Sequence, residues 1–100
     1  MYVATNRFRV ALGKEATFEE VWRKRNSYLD EVPGFQDFHL LRAPAGEDHT
    51  LFVSHSTWDT KDAFVAWTES EAFRKAHTSG RSPQGTLLGH PGFEGFDVVL

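Results

Sequence analysis

Three residues of this sequence carry side chains that could bind or react with a ligand: an asparagine, a tryptophan and a histidine. Residues 2–10 alternate between apolar and polar side chains, which predicts a β-strand with one covered face. The alternation places the carboxamide of Asn6 on that covered face, where every other side chain is apolar. His77 carries an imidazole, which can bind a metal ion, and Trp67 lies ten residues before it.

Each of these three residues also has a purely structural explanation. A buried amide is normally hydrogen-bonded to backbone or water, since an unpaired one costs about 1–3 kcal/mol. A histidine at the C-terminus of a helix suits the helix dipole, and a large aromatic side chain is usually part of a core. The residues stacked on the His77 side of a continuous helix are mostly small, which is typical of tight helix–sheet packing but also leaves room for a flat ligand: Ala63, Ala66, Ser70 and Phe73.

Composition narrows the class of protein. The chain has 100 residues, and we expect one domain spanning residues 1–100. A net charge of −3 with acids and bases mixed argues against nucleic acid as a partner. We expect no membrane partner, because no apolar run reaches the roughly 20 residues of a spanning helix. The absence of cysteine excludes disulfides and thiolate ligands, and a cytoplasmic location is the default expectation.

Familiar catalytic motifs are missing. The sequence has no HExxH, no GxSxG, no P-loop and no GxGxxG that opens a helix, so hydrolysis and phosphoryl transfer have no obvious machinery. His39 and His55 lie in the middle of predicted strands and have no companion at ligand spacing. His49 borders a turn and His90 lies in a predicted loop, so both are weak candidates.

The order of predicted elements is β-α-β-β-α-β, the ferredoxin-like arrangement of an α+β fold with an antiparallel sheet. We expect strands at residues 2–10, 35–43, 49–58 and 96–100. The first helix is expected at about 18–31, and the second from its cap, Asp59 or Thr60, to His77 with a break near "TES".

Local signals define the ends of these elements. "TFEE" is typical of a capping box in which Thr17 caps the first helix and Glu20 reaches back to it. Thr68, with Glu71 three residues later, is a second possible cap. The eighteen residues "TSGRSPQGTLLGHPGFEG" predict a long loop, and a loop of that length is usually functional or disordered.

Both middle strands carry apolar residues on each face. Phe35 and Leu41 alternate with Phe38 and Leu40 in one of them. We therefore expect helices to cover one side of the sheet and a second copy of the chain to cover the other, in a homodimer of two-fold symmetry.

The segment "AFVAWTESEAFRKAH" resembles the second helix of the antibiotic biosynthesis monooxygenase superfamily. More narrowly, it resembles the haem-degrading monooxygenases of the iron-regulated-surface-determinant type, through W-x-x-S-x-x-F-x-x-x-H at Trp67, Ser70, Phe73 and His77. "NRF" in the first strand and "PGF" before the second fit the same layout. The resemblance implies a ferredoxin-like subunit that dimerises into a β-barrel, a dimeric α+β barrel.

The resemblance also implies a role for each residue. His77 would be the proximal ligand of the iron of non-covalently bound haem b, and Asn6 would place its amide on the distal side. Trp67 would press on the porphyrin and bend it. Haem would be both cofactor and substrate, and O₂ with an external electron donor, such as a reductase, would open the ring and release iron.

Further haem contacts are expected from Phe8 and Phe73. The propionates need cations, for which Arg23 and Arg25 in the first helix, or Arg81 in the loop, are candidates. The loop after His77 is a plausible lid over the haem edge.

Three other functions stay open. The chain can be a cofactor-free monooxygenase that acts on a quinone or polyphenol, as in other branches of the superfamily. It can be a haem storage or transfer protein. It can also be a dimeric barrel of a stress-related type without small-molecule chemistry.

Overall fold

The computed structural model of the chain describes residues 1–24, 29–70, 73–74 and 83–100. In this part of the chain, four strands and two α-helices follow one another in the expected β-α-β-β-α-β order, which confirms the ferredoxin-like α+β fold. Their bounds are β1 (Tyr2–Ala11), α1 (Glu15–Lys24), β2 (Phe35–Arg42), β3 (His49–Trp58), α2 (Lys61–Thr68) and β4 (Gly92–Asp97), with a short 3-10 helix at Leu29–Glu31 before β2.

The strands form one antiparallel sheet in the order β2-β3-β1-β4. Alternate residues of β1 point to one face, where Tyr2, Ala4 and Val10 are buried. Both helices pack on this face, since Phe18 of α1 contacts Val10, and Phe64 of α2 packs on the group around Tyr2. We call it the helix-covered face, and the other one the opposite face.

α1 begins three residues earlier than its predicted start. The helix starts at Glu15, and the backbone N–H of Phe18 already donates to the carbonyl of Lys14 at 3.0 Å. The carboxylate of Glu15 accepts hydrogen bonds from the Gly13 N–H at 2.9 Å and the Thr50 hydroxyl at 2.8 Å. The predicted capping box is therefore wrong, because Thr17 lies inside the helix.

The far end of α1 also differs from its prediction. The described helix ends at Lys24, and Leu29–Glu31 is a 3-10 helix rather than the end of one α-helix that reaches Glu31. The Val32 N–H donates to the Leu29 carbonyl at 3.0 Å, which is the i to i+3 bond of a tighter turn. Pro33 follows Val32 and disfavours the α conformation there, so the chain turns into β2.

α2 begins at its predicted position and ends at the predicted break, while most of the predicted continuation to His77 lies outside the described residues. Thr60 is the N-cap, and its hydroxyl accepts the Ala63 N–H at 3.1 Å. The helix ends at Thr68, which confirms a break near "TES". Ser70, and not Thr68, caps the next turn, because the Ser70 hydroxyl accepts the Phe73 N–H at 3.2 Å.

β4 lies earlier in the sequence than predicted. It covers Gly92–Asp97 instead of residues 96–100 and pairs with β1 from Tyr2 to Arg7. Part of the predicted loop is also tied to β1, since the Ala11 N–H donates to the Thr86 carbonyl at 2.8 Å. The bounds of β4 and the position of the Thr86 segment depend on pairing with the free edge of β1. The local sequence gives little indication of that pairing. No helix among the described residues is long and apolar enough to span a bilayer.

Candidate active site

The helix-covered face carries two packed clusters of apolar residues with a gap between them. One cluster is built on the buried side chains Tyr2, Ala4, Leu29 and Trp58, and the other on Val10, Phe18 and Phe52. The strand positions between the clusters carry an amide and two hydroxyls: Asn6 on β1, and Ser54 and Ser56 on β3. Because these side chains are short, they leave a cavity of about 880 Å³ between the sheet and the helices.

Asn6 lies at the centre of the cavity floor. It is directly opposite Ser54 on β3 and Phe93 on β4. Its side chain lines the cavity and, in the described part of the chain, has no hydrogen-bond partner. Ser56 differs, because its hydroxyl accepts the indole N–H of Trp58 at 2.9 Å. The amide of Asn6 is thus left to bind whatever occupies the cavity, either water or a ligand.

One wall of the cavity is aromatic and is formed by α1 with β1 and β2. Phe8 contacts Trp22 with ring centroids 5.7 Å apart, and Trp22 stacks on Phe38 at 5.5 Å with 17° between the rings. All three side chains line the cavity. Trp22 and Phe38 were not among the predicted site residues, although Phe8 was.

The facing wall comes from α2, the turn after it and β4. Trp67 lies 5.6 Å from Trp58 and meets Phe73 edge-on at 4.7 Å. Phe64 stacks on Phe93 at 5.6 Å with 7° between the rings. Trp67 therefore packs against the core around Trp58 and also lines the cavity. Its position is compatible both with a role in the core and with contact to a ligand.

The row of small residues predicted along the second helix does not create the cavity. The helix breaks after Thr68, and Ala66 is exposed. Ala63 is small for another reason: a Cβ placed on Gly34 would lie 2.5 Å from the Ala63 Cβ. Ala63 thus serves close packing against Gly34, and the space for a ligand comes from the short side chains of the sheet.

Ser54 and Ser56 are site residues that the sequence interpretation missed. Their signal was present, because β3 alternates Phe52, Ser54, Ser56 and Trp58 on one face, with two hydroxyls between two aromatic rings. The same alternation that singled out Asn6 on β1 applies to them. Only the pairing of β1 with β3 shows that the three polar side chains meet.

The predicted ionic residues are not seen at the cavity. His77, Arg25 and Arg81 lie outside the described residues. Arg23 is exposed, does not line the cavity, and pairs with Glu20 at 2.5 Å. None of the described residues that line the cavity is charged, and none is a histidine. The described site is an apolar space with a few neutral polar groups, the usual character of a small-molecule or cofactor pocket of roughly 300–1,000 Å³.

The sequence model of the antibiotic biosynthesis monooxygenase family matches residues 1–79. The chain belongs to that family. The membership confirms the resemblance stated above and the expectation of a monooxygenase-type oxidoreductase. For a monooxygenase-type protein, the cavity between the sheet and the helices is the candidate active site.

Relatives within the family include haem-degrading enzymes. The chain is 30% identical over 95 residues to a staphylobilin-producing haem oxygenase of Staphylococcus saprophyticus, covering 90% of this chain and 88% of that protein. It is 32% identical over 80 residues to a mycobilin-producing haem oxygenase of Mycobacterium tuberculosis, covering 80% and 73% respectively. The fold matches that of the haem degrader MhuD of Mycobacterium tuberculosis with two haems bound, at a TM-score of 0.74 and 29% identity, over 100% of this chain and 97% of that one.

Proposed function

We propose that this chain is a haem-degrading monooxygenase, which binds haem in the cavity and opens the porphyrin ring with O₂ and an external reductant. The observation that carries the proposal is the amide of Asn6, which has no hydrogen-bond partner among the described residues and lies on the floor of an aromatic-walled cavity of about 880 Å³. The similarity to two haem oxygenases and to a haem-bound solved structure supports the choice of haem as the ligand.

The side chains that line the described cavity have the polarity that a porphyrin requires. A flat apolar ring requires aromatic or aliphatic walls, and Trp22, Phe38, Phe64 and Trp67 provide them. When bound, haem supplies the iron at which O₂ reacts with electrons from the donor, and its own ring is the substrate that is opened.

Three residues of the chain have separate tasks in this proposal. His77, which lies outside the described residues, would hold the iron through an imidazole nitrogen, as histidine does in many haem proteins. Asn6 offers an N–H donor from the cavity floor. Trp67, packed between Trp58 and Phe73, would press its indole against the ring, and Phe8 and Phe73 would add apolar contacts.

The charged contacts of the propionates belong to the proposal as well. Arg25 is a candidate by its position in the sequence, and Arg23 has to leave its ion pair with Glu20 before it can serve. That ion pair is highly exposed, with the Arg23 side chain 65% accessible, so breaking it costs little. We expect the protein to act in the cytoplasm, where reductases supply electrons.

We also expect a homodimer formed through the opposite face of the sheet. Leu41 of β2 and Phe96 of β4 are each 47% exposed on this face, and Val3, Leu51 and Val53 lie between them. Apolar side chains spread over all four strands are suited to burial against a second copy. Sedimentation at the monomer mass at micromolar concentration would contradict the dimer.

The deciding experiment is an aerobic spectral titration of the protein with haem, followed by ascorbate in the presence of catalase. We expect a Soret band that His77→Ala weakens and His90→Ala leaves unchanged, then bleaching of the band with release of chelatable iron. A Soret band that persists for hours under reductant and air would exclude ring opening. Absence of haem binding by the wild-type chain would exclude the whole proposal.

A second candidate function is cofactor-free oxygenation of a quinone or polyphenol. The uncharged lining of the described cavity, with one free amide and two serine hydroxyls, suits a flat phenolic substrate equally well. Tight haem binding through His77 would count against this candidate. Haem storage without turnover is the third, and a Soret band of the wild type that persists under reductant and air would favour it.

A further inference from the structure

The opposite face of the sheet brings together three side chains that can ligate a metal. His39 on β2 lies directly across from His55 on β3, and Asp37 precedes His39 by two residues on the same face. One ligand atom from each of the three side chains lies within 4.8 Å of the others. The sequence interpretation gave His39 and His55 no companion, because only the β2–β3 register shows that they face each other.

A β-bulge is what places Asp37 on this face. Phe35 pairs with Trp58, and Asp37 already pairs with Thr57, so one extra residue is inserted between them. Without the bulge, the two-residue period would put Asp37 on the same face as Phe35, in the core around Trp58. Bulges commonly re-aim a side chain, and this one turns a carboxylate toward two imidazoles.

We propose that Asp37, His39 and His55 form a binding site for a divalent transition-metal ion of the zinc class. Two imidazole nitrogens and one carboxylate oxygen are the three protein ligands found in many zinc and iron(II) centres, which leave further positions for water or another ligand. The set contains no soft sulfur and too few oxygens for calcium or magnesium.

The geometry permits closure around an ion. Zinc bonds of about 2.0–2.2 Å place tetrahedral ligand atoms about 3.3–3.5 Å apart, so the three groups have to draw together slightly. In the single chain, Asp37 and His39 are exposed and His55 is half-buried, so their side chains can rotate there. In the described part of the chain, none of the three has a hydrogen bond or ion pair that would have to be broken. Their backbones are fixed in a ladder of paired strands.

The ion would lie on the face that we expect a second copy of the chain to cover, beside Leu41 and Val53. It is remote from the cavity, because Phe38 and Leu40, which alternate with His39, point to the helix-covered face. Metal binding here therefore does not depend on haem binding or on turnover.

The test uses the untagged, haem-free wild-type chain with Zn²⁺ and with Co²⁺ as a spectroscopic probe. We expect about one Zn²⁺ per chain after dialysis, and Co²⁺ absorption bands in the visible range with the intensity of a low-coordinate site. His39→Ala and His55→Ala should each weaken binding by roughly tenfold or more, since each removes one of three protein ligands. His90→Ala, which removes a histidine elsewhere on the surface, should bind as the wild type does.

Two readouts keep the result interpretable. Circular dichroism of each variant should show that the substitution on the opposite face leaves the fold intact. Amide NMR of the wild type maps the shifts that Zn²⁺ induces. Shifts centred on residues 37–39 and 55 support the site. Wild-type binding no tighter than that of the His39 and His55 variants, or shifts centred elsewhere, would overturn it. Haem titration of the same variants should match the wild type, so failure of this site is distinct from failure of the proposed function.

Discussion

Asn6 and Ser54 face each other across the β1–β3 ladder, and both side chains line the cavity at its floor. A pair of aliphatic side chains here would join the clusters around Trp58 and Phe52 into one continuous core. The short polar side chains of Asn6 and Ser54 instead keep the clusters apart, and the space between the clusters is the cavity. Folding therefore gives up some apolar burial at this pair, and function is the evident reason.

Filling the floor should close the cavity without unfolding the chain. Ser54→Phe places a ring in existing empty space, so we expect haem affinity to fall by roughly tenfold or more while stability to urea holds or rises. Leu12→Phe is the control, because Leu12 is exposed in the turn after β1 and does not line the cavity. Equal haem affinity for Ser54→Phe and the wild type would show that haem binds elsewhere.

Removing the amide should affect turnover more than binding. Asn6→Ala keeps the cavity open and removes one hydrogen-bond donor, so we expect the rate of ring opening to fall about tenfold, equivalent to about 1.4 kcal/mol. Single-turnover bleaching of the Soret band measures this rate. Ser54→Ala removes a neighbouring hydroxyl of the same floor and should change the rate much less. The opposite ranking would assign the polar role to Ser54.

Sequence patterns predicted those parts of the structure that depend on residues close together in the sequence. The alternation of residues 2–10 placed Asn6 on the covered face, and Thr60 was one of two expected caps for α2. The start of α1 was missed because the Glu15 carboxylate is held by Thr50, thirty-five residues away in sequence. A local capping pattern at Thr17 carries no trace of that contact.

The cavity and the last strand needed long-range information. β4 is defined by its pairing with β1 across the whole chain, and its residues are exposed, so hydrophobic alternation did not mark it. The meeting of Asn6 with Ser54 depends on the register of two strands separated by α1 and β2. The Asp37–His39–His55 cluster depends in the same way on the register and the bulge of β2.

The indole of Trp67 should matter for ring opening more than for haem affinity. Trp67→Phe keeps an aromatic contact with Trp58 and Phe73 but removes bulk at the cavity wall. We expect slower bleaching after ascorbate, with haem affinity within about threefold of the wild type, since most apolar contacts persist. Phe64→Leu, on the same wall, is the control for general loss of packing. Unchanged bleaching in Trp67→Phe would mean that the ring distortion comes from another part of the cavity.

The Glu15 carboxylate should make stability depend on pH in a defined direction. Hydrogen bonds from its own backbone N–H and from the Thr50 hydroxyl lower the pKa of Glu15 below its ordinary value of 4.5. A lowered folded-state pKa stabilises the fold fully above pH 4.5, and this contribution is lost as the pH falls through the folded-state pKa. Glu15→Gln should therefore be less stable than the wild type at pH 7, and the difference should shrink below pH 4.5.

Urea unfolding at several pH values measures this linkage. Glu47→Gln is the matched control, since the Glu47 side chain has no hydrogen bond in the described part of the chain. A Glu15→Gln difference that stays constant from pH 7 to pH 3 would mean that the carboxylate charge is not what stabilises the start of α1.

The contact between Gly34 and α2 should be among the most sensitive in the fold. Gly34 has a φ of 84°, and an added Cβ would lie 2.5 Å from the Ala63 Cβ. Gly34→Ala therefore combines backbone strain with overpacking against α2, and we expect a loss of about 2–4 kcal/mol in the free energy of unfolding. Gly85 has a nearly identical φ of 86° with nothing within 4 Å of an added Cβ, so Gly85→Ala should show the backbone cost alone, about 1 kcal/mol. Urea denaturation of both variants separates the two effects, and equal losses would mean that α2 shifts freely away from Gly34. Because α2 carries Trp67, such a shift would also move one wall of the cavity, and haem binding by Gly34→Ala would report it.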